Sequence, residues 1–197
     1  MNRNRRGFTL MEMLIAITVL VMLSGVMLFS TLDFVTTAEA NKVINDMIHL
    51  KTAMLMWYKE NSSRIVYDAG AKQYKINTKG TIQPFKEFIG KHKDEILRYV
   101  SSNDIKLRNK ESSANDTGDY TFIDTDGGTR WFICCNLGSL NLLTKGEEAP
   151  DIKVREKIAG QANKLNLFGL DNIKNTPTKK YTANNIFVCM HVLTLSK

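Results

Sequence analysis

Between Phe8 and Leu32 the chain runs for 25 residues with a single charged side chain, Glu12. No other feature limits the fold as much. A helix rises about 1.5 Å per residue, so about 20 apolar residues cross the ~30 Å hydrocarbon core of a bilayer. The run is long enough to span a membrane, and Arg3, Arg5 and Arg6 just before it belong on the cytoplasmic side by the positive-inside rule. The rest of the chain then faces outward.

Three other uses of such a run compete. A secretory signal peptide has an apolar core of about 7 to 15 residues; Ala38-Glu39-Ala40 resembles a cleavage site, but the run before it is too long. A lipoprotein anchor needs a cysteine directly after the run, and the first cysteine is Cys134. A plain signal anchor fits the length but leaves Glu12 unexplained. A carboxylate within a membrane helix costs about 2.5 to 3.5 kcal/mol on insertion scales and calls for a partner. No Lys, Arg or His lies in the span, so the expected partner comes from elsewhere.

The segment Gly7-Phe8-Thr9-Leu10-Met11-Glu12-Met13-Leu14, with its short basic leader and long apolar continuation, resembles the prepilin leader junction of type IV pilins and type II secretion pseudopilins. The resemblance implies that a membrane peptidase cuts between Gly7 and Phe8, that the new amine of Phe8 is methylated, and that Glu12 supports subunit packing. It also implies partners: like or related pilin subunits in a filament, a prepilin peptidase, an inner-membrane assembly platform and membrane lipid. The implied location is a single-pass inner-membrane protein with its N-terminus cytoplasmic and its C-terminal domain periplasmic, passing later into a periplasmic or extracellular filament. One feature departs from the pattern. Many family members carry a proline in the second half of this helix, whereas the first proline here is Pro84. Gly25, beside Ser24, is the only helix weakener, at about 1 kcal/mol relative to Ala.

The expected organisation is a leader over residues 1–7, a transmembrane and assembly half-helix over 8–32, and an outward-facing globular pilin-like domain over 33–197. After Asp33 the apolar residues Ala40, Val43, Ile44, Met47, Ile48, Met54, Leu55 and Tyr58 recur at three- and four-residue steps, which is helix periodicity. One continuous helix from Phe8 to Glu60 is predicted, ended by Asn61-Ser62-Ser63. Residues 64–118 read as a variable connecting region, holding a short helix over Pro84–Val100 bent near Gly90 and a polar loop over Ser101–Gly118. Tyr120–Asp124 and Thr129–Asn136, joined by Thr125-Asp126-Gly127-Gly128, carry a hairpin signal. A helix over Asp151–Leu165 and an apolar strand over Asn185–Leu195 complete the reading. The fold class is α+β and pilin-like: a long N-terminal helix packed on a small antiparallel sheet.

The net charge is +7, but Arg3, Arg5 and Arg6 lie in the leader, and without those three the 27 basic residues become 24 against 20 acidic. The remaining cations are scattered among carboxylates with no basic block interleaved with aromatics, so direct nucleic-acid binding has little support; a link to DNA through uptake is left open. Cys134, Cys135 and Cys189 show no metal-ligand spacing. Outside the cytoplasm one bridge between Cys189 and one of the pair fits; three buried reduced thiols fit as well. Adjacent strand residues face opposite ways, so only one of the pair can meet Cys189.

Asp124, Asp126 and Gly127 suggest the opening of a calcium loop, and some pseudopilins bind calcium. An EF-hand loop would carry Glu at its twelfth position, where Cys135 stands. A hairpin turn is the preferred reading. His49, His92 and His191 sit in three different expected elements, and no Gly-x-Ser-x-Gly, His-Glu-x-x-His or phosphate-cradling glycine loop occurs. Trp57, Trp131, Phe122 and Phe132 read as packing residues. No catalytic residue or cofactor is assigned. The expectation is a structural filament subunit; the competing one is an anchored extracytoplasmic enzyme or binding domain with the helix as a tether.

Overall fold

The structure, a computed structural model, describes residues 9–100, 105, 107, 119–138 and 150–196. The leader expected over 1–7 and Phe8 lie outside the described residues, as does most of the polar loop expected over Ser101–Gly118.

Helix α1, Leu10–Asn61, is one uninterrupted α-helix of 52 residues. It starts at Thr9, an extended N-cap residue with φ −77° and ψ 150°, and gives way to a 3-10 turn over Ser62–Arg64. Gly25 does not break it, and a Cβ there would meet nothing within 4 Å. The two halves of α1 have different environments. Leu10 to Met27 is apolar with none of it buried, whereas Ala40, Val43, Met47, Leu50, Met54 and Trp57 are all at most 1% exposed. Of the expected stripe, Ala40, Val43, Ile44, Met47 and Met54 are buried. Ile48 and Leu55 lie outside the buried face at 39% and 38% exposure, and Leu50, Ala53 and Trp57 lie within it. Positions 40, 43, 47, 50, 54 and 57 alternate three- and four-residue steps and so hold one face of the helix.

Against that face lies a five-stranded antiparallel sheet built from β4 (Tyr120–Thr125), β5 (Arg130–Asn136), β6 (Leu167–Leu170), β7 (Lys179–Lys180) and β8 (Phe187–Thr194) in the order β4-β5-β8-β6-β7. The expected hairpin is β4 and β5, and the expected C-terminal strand is β8; the short β6 and β7 were not expected. β5 and β8 are apolar almost throughout because both of their faces are covered. Trp131, Ile133, Cys135, Val188 and Met190 join the core that includes α1. On the other face Phe132, Cys134 and Cys189 form a second cluster with Ile123 and Leu170. Helix α3, Pro150–Leu165, buries Val154, Ile158 and Ala162 in the first core.

The region expected to be a variable connection contains a second sheet. β1 (Ile65–Asp68), β2 (Gln73–Thr78) and β3 (Thr81–Pro84) form an antiparallel meander. β2 and β3 are joined by Lys79 and Gly80 at φ 50° and 91°, the pair of positive values that a two-residue hairpin of matching twist requires. Helix α2, Phe85–Leu97, follows directly and is interrupted at His92 (φ −124°, ψ 26°) rather than at Gly90. Phe85 stacks on Trp131 at 3.8 Å and Phe88 lies 5.1 Å from Trp57, so α2 closes the far end of the core.

The two sheets meet at the β4–β5 turn. Tyr74 N–H donates to the Gly127 carbonyl at 2.7 Å, and Asp126, Gly127 and Gly128 have φ of 54°, 66° and 79°. A Cβ on Gly127 would fall 2.6 Å from the Lys72 carbonyl oxygen. Glycine is required here by both backbone conformation and space.

Candidate functional site

The apolar half of α1 satisfies its own polar groups. Thr18 and Ser24 donate their hydroxyls to the carbonyls of Leu14 and Leu20 at 2.8 and 2.7 Å, the back-bonding that lets such residues sit in a helix with no water around it. At the helix start the carboxylate of Glu12 accepts from the Thr9 backbone N–H at 2.8 Å and from the Thr9 hydroxyl at 2.9 Å. The Thr9 hydroxyl in turn accepts from Glu12 N–H at 3.3 Å. This is a complete capping box. In the isolated chain Glu12 thus caps its own helix through Thr9. The Thr-x-x-Glu spacing that signals this cap was present in the sequence. The carboxylate also sits in the first turn, where the helix dipole favours negative charge.

Cys134 and Cys189 are opposite one another on β5 and β8 and are joined by a disulfide, with Cα atoms 4.0 Å apart. Cys135 is buried on the opposite face of the sheet as a free thiol. Burial, and after it the charges of Asp119 and Asp46, push this thiol well up, so it stays protonated and is a poor nucleophile. Beside it Tyr120 donates its hydroxyl to Asp46 of α1 at 2.9 Å, tying β4 to the helix. Burial first, then the nearby Cys135 and Asp46, push the Tyr120 phenol up.

The aspartates considered for calcium are employed in the hairpin. Asp126 forms the turn and pairs with Arg130 at 2.6 Å, and Asp124 lies in β4 opposite Trp131. Among the described residues no group of three or more His, Cys, Asp or Glu is arranged to hold a metal ion.

The histidines are not brought together. His49 is exposed on α1. His92 stacks on Phe88 at 4.8 Å and meets Glu95 at 3.3 Å. His191 lies edge-on to Phe132 and 3.0 Å from the Thr194 hydroxyl; burial, then Lys51 and Arg130, hold its pKa down.

The sequence reading missed the cluster around Glu95. Its Oε2 accepts from Trp57 Nε1 at 3.3 Å and from Arg64 Nη1 at 3.2 Å. Arg64 also donates to the Asn77 carbonyl, the Asn61 side chain and the Thr78 hydroxyl. Those bonds leave the guanidinium committed to joining α1, β2 and α2 rather than to a ligand. Only the separate positions of Arg64 and Glu95 were visible in sequence, 31 residues apart.

Residues 2–28 match the family model described as the prokaryotic N-terminal methylation motif. The match ends within the apolar half of α1. No curated protein and no solved structure matches the chain. The motif coincides with the one helix, among the described residues, that is long and apolar enough to cross a membrane, over Leu10–Met27. The motif and the helix agree with a single-pass membrane anchor and with a subunit of the pilin and pseudopilin type.

Proposed function

We propose that this chain is a structural subunit, a pilin or pseudopilin, of a type IV pilus or type II secretion-like filament. It is made as an inner-membrane precursor, cut between Gly7 and Phe8 by a prepilin peptidase and methylated on the new amine. It then enters the filament through α1 from an inner-membrane assembly platform. The observation that carries this reading is that the methylation motif over 2–28 runs into a single 52-residue helix whose unburied first half is apolar and whose second half is core. A tether needs only a span and a linker. A helix continuous from membrane to core instead transmits the position of the span rigidly to the domain, as a filament lattice requires. The Cys134–Cys189 disulfide suits a domain outside the cytoplasm.

Glu12 is assigned the assembly role. Cleavage leaves a positive amine on Phe8, four residues before Glu12. In a filament the carboxylate of one subunit would meet the amine of a neighbour, and the cost of leaving either charge unpaired in an apolar bundle would set the docking register.

Mass spectrometry of the protein purified from membranes tests the reading. The expected N-terminus is methylated Phe8. A mature chain that retains Met1 or Asn2 is a tethered protein, and the filament reading then fails.

A further inference from the structure

Helix α3 lies along α1 and runs in the same direction. Two contacts fix the alignment: Lys157 Nζ to Asp33 Oδ1 at 2.9 Å and Gln161 Nε2 to Asn41 Oδ1 at 3.3 Å. Ile152 precedes Lys157 by five residues and Gln161 by nine. Counting back by the same numbers along α1 from Asp33 and Asn41 puts Ile152 abreast of positions 28 to 32. Both ends of that interval lie inside the apolar run. About 20 residues counted from Phe8 cover the hydrocarbon core, so the stretch from 28 to Leu32 falls at the boundary between acyl chains and headgroups.

Ile152 stands on the side of α3 turned away from its core stripe. Val154 and Ile158 are fully buried, whereas Ile152, two positions before Val154, is 52% exposed. Two residues beyond that interval, Phe34 is 76% exposed on α1. Lys153 is exposed next to Ile152, and a lysine at this depth can keep its stem along apolar surface and its ammonium in the headgroups. Phe34 adds to the exposed apolar positions of α1, and Ile152 supplies one on a second element.

We propose that the first turn of α3 is a second membrane contact, in which Ile152 and Phe34 enter the headgroup–acyl boundary of the bilayer while the subunit is anchored. The domain then rests on the membrane at α3 as well as hanging from α1, and its rotation about the α1 axis is restricted before assembly. This rests on the reading of the first half of α1 as a membrane span.

The full chain, reconstituted at one copy per lipid nanodisc, tests both. A nitroxide is attached at Ile152→Cys, Phe34→Cys, Val21→Cys as the span reference and Ile82→Cys as the aqueous reference, since Ile82 on β3 is 56% exposed. The unsubstituted chain, with Cys134 and Cys189 bridged and Cys135 buried, is the blank. The readout is the ratio of collision with oxygen to collision with a water-soluble nickel chelate. The expected ratio at positions 152 and 34 lies closer to that at 21 than to that at 82. A ratio at 152 equal to that at 82, with 21 still in lipid, overturns the second contact and leaves the anchor intact. An aqueous ratio at 21 overturns the anchor, and the contact with it. Shielding of position 152 from both reagents makes this surface a protein contact and overturns the lipid assignment.

Discussion

Thr9 and Glu12 are bonded in both directions across the first turn of α1: the Thr9 hydroxyl donates to the Glu12 carboxylate at 2.9 Å and accepts from the Glu12 backbone N–H at 3.3 Å. The bonds that Glu12 accepts from Thr9 fall on one oxygen, Oε2. The same carboxylate can therefore cap its own helix and still present Oε1 to a neighbour. The observed helix cap and the subunit register proposed for Glu12 are then separable by substitution.

That separation is testable with four variants. Thr9→Ala removes the hydroxyl half of the box and should cost about 1 kcal/mol of helix stability, while leaving filament incorporation near wild type. Glu12→Gln keeps the shape and an accepting oxygen but loses charge, and incorporation should fall to an intermediate level. Glu12→Leu should insert and be cleaved normally yet assemble poorly. A Gly7 substitution should stop earlier, as uncleaved precursor. A sheared-filament assay in cells without a wild-type copy measures all four, and equal loss in Thr9→Ala and Glu12→Leu would assign the residue to capping alone.

A fragment beginning at Asp33 should be soluble, monomeric and folded. The stripe from Ala40 to Trp57 keeps its partners on β5, β8 and α2 when the apolar half is removed, and the removed half contributes nothing buried over Leu10–Met27. Circular dichroism and sedimentation check this. An unfolded fragment would mean that 33–197 does not form a unit by itself.

The elements legible in sequence were those whose signal is local and strong. They include the apolar run, the Asp126-Gly127-Gly128 turn and α3, whose Val154, Ile158 and Ala162 recur at helix spacing. The β1–β3 meander was not legible, because Lys72 and Lys79 hold positive φ where Asn or Gly is the usual signal, and Gly70 and Gly80 stand close to them in sequence without a flanking Asn-Gly or Asp-Gly pair. β6 and β7 span only four and two residues, too short for alternation to register. The core stripe of α1 was legible at Ala40, Val43, Ile44, Met47 and Met54, but its edge was misread because Ile48 and Leu55 are as apolar as Leu50 and Trp57; only the position of the sheet decides between them. At the candidate site the Thr9 cap was not legible because the cost of a carboxylate within an apolar helix points first to a charged partner, not to a helix cap.

Gly127→Ala should weaken the junction of the two sheets. The new methyl meets the Lys72 carbonyl at 2.6 Å, and the residue is held at φ 66°, so strain and overlap together should cost roughly 1 to 3 kcal/mol. Gly160→Ala, where a Cβ meets nothing within 4 Å, should stabilise by up to about 1 kcal/mol in the helix interior. Chemical denaturation of the two variants should shift the midpoint in opposite directions.

The cysteines should separate by face. Cys134→Ala opens a bridge with a sequence separation of 55, and loss of such a link costs about 2 to 4 kcal/mol. Cys135→Ala removes only a buried sulfur that behaves as a small apolar group, at about 1 kcal/mol. Nonreducing peptide mapping of exported protein should show the Cys134–Cys189 pair and one free thiol at Cys135; three free thiols would remove the bridge.

The last prediction concerns Glu95 and acid. Burial pushes its carboxyl up, but the bonds from Trp57 and Arg64 and the charges of Arg64 and His92 outweigh it and hold the group below its ordinary value. A carboxyl whose folded pKa is depressed binds fewer protons folded than unfolded across the interval between the two values. Its stabilising contribution is therefore fully present above the unfolded value, about 4.3 for Glu, and is lost as pH falls through the lower folded value. The partners reach Glu95 from α1 and from Arg64 at the end of the 3-10 turn, so the loss should appear as loosening of α2 from the core. Glu95→Gln should lower stability at neutral pH, because Arg64 then loses its counter-charge, and should flatten the acid limb of the stability curve below pH ~4. Glu95→Leu should cost more at neutral pH, since the Trp57 indole and one Arg64 donor then lose their acceptor. Urea midpoints measured from neutral pH down into the acid range for the three proteins decide the matter. Parallel curves for wild type and Glu95→Gln would mean that the depressed carboxyl contributes nothing to acid sensitivity.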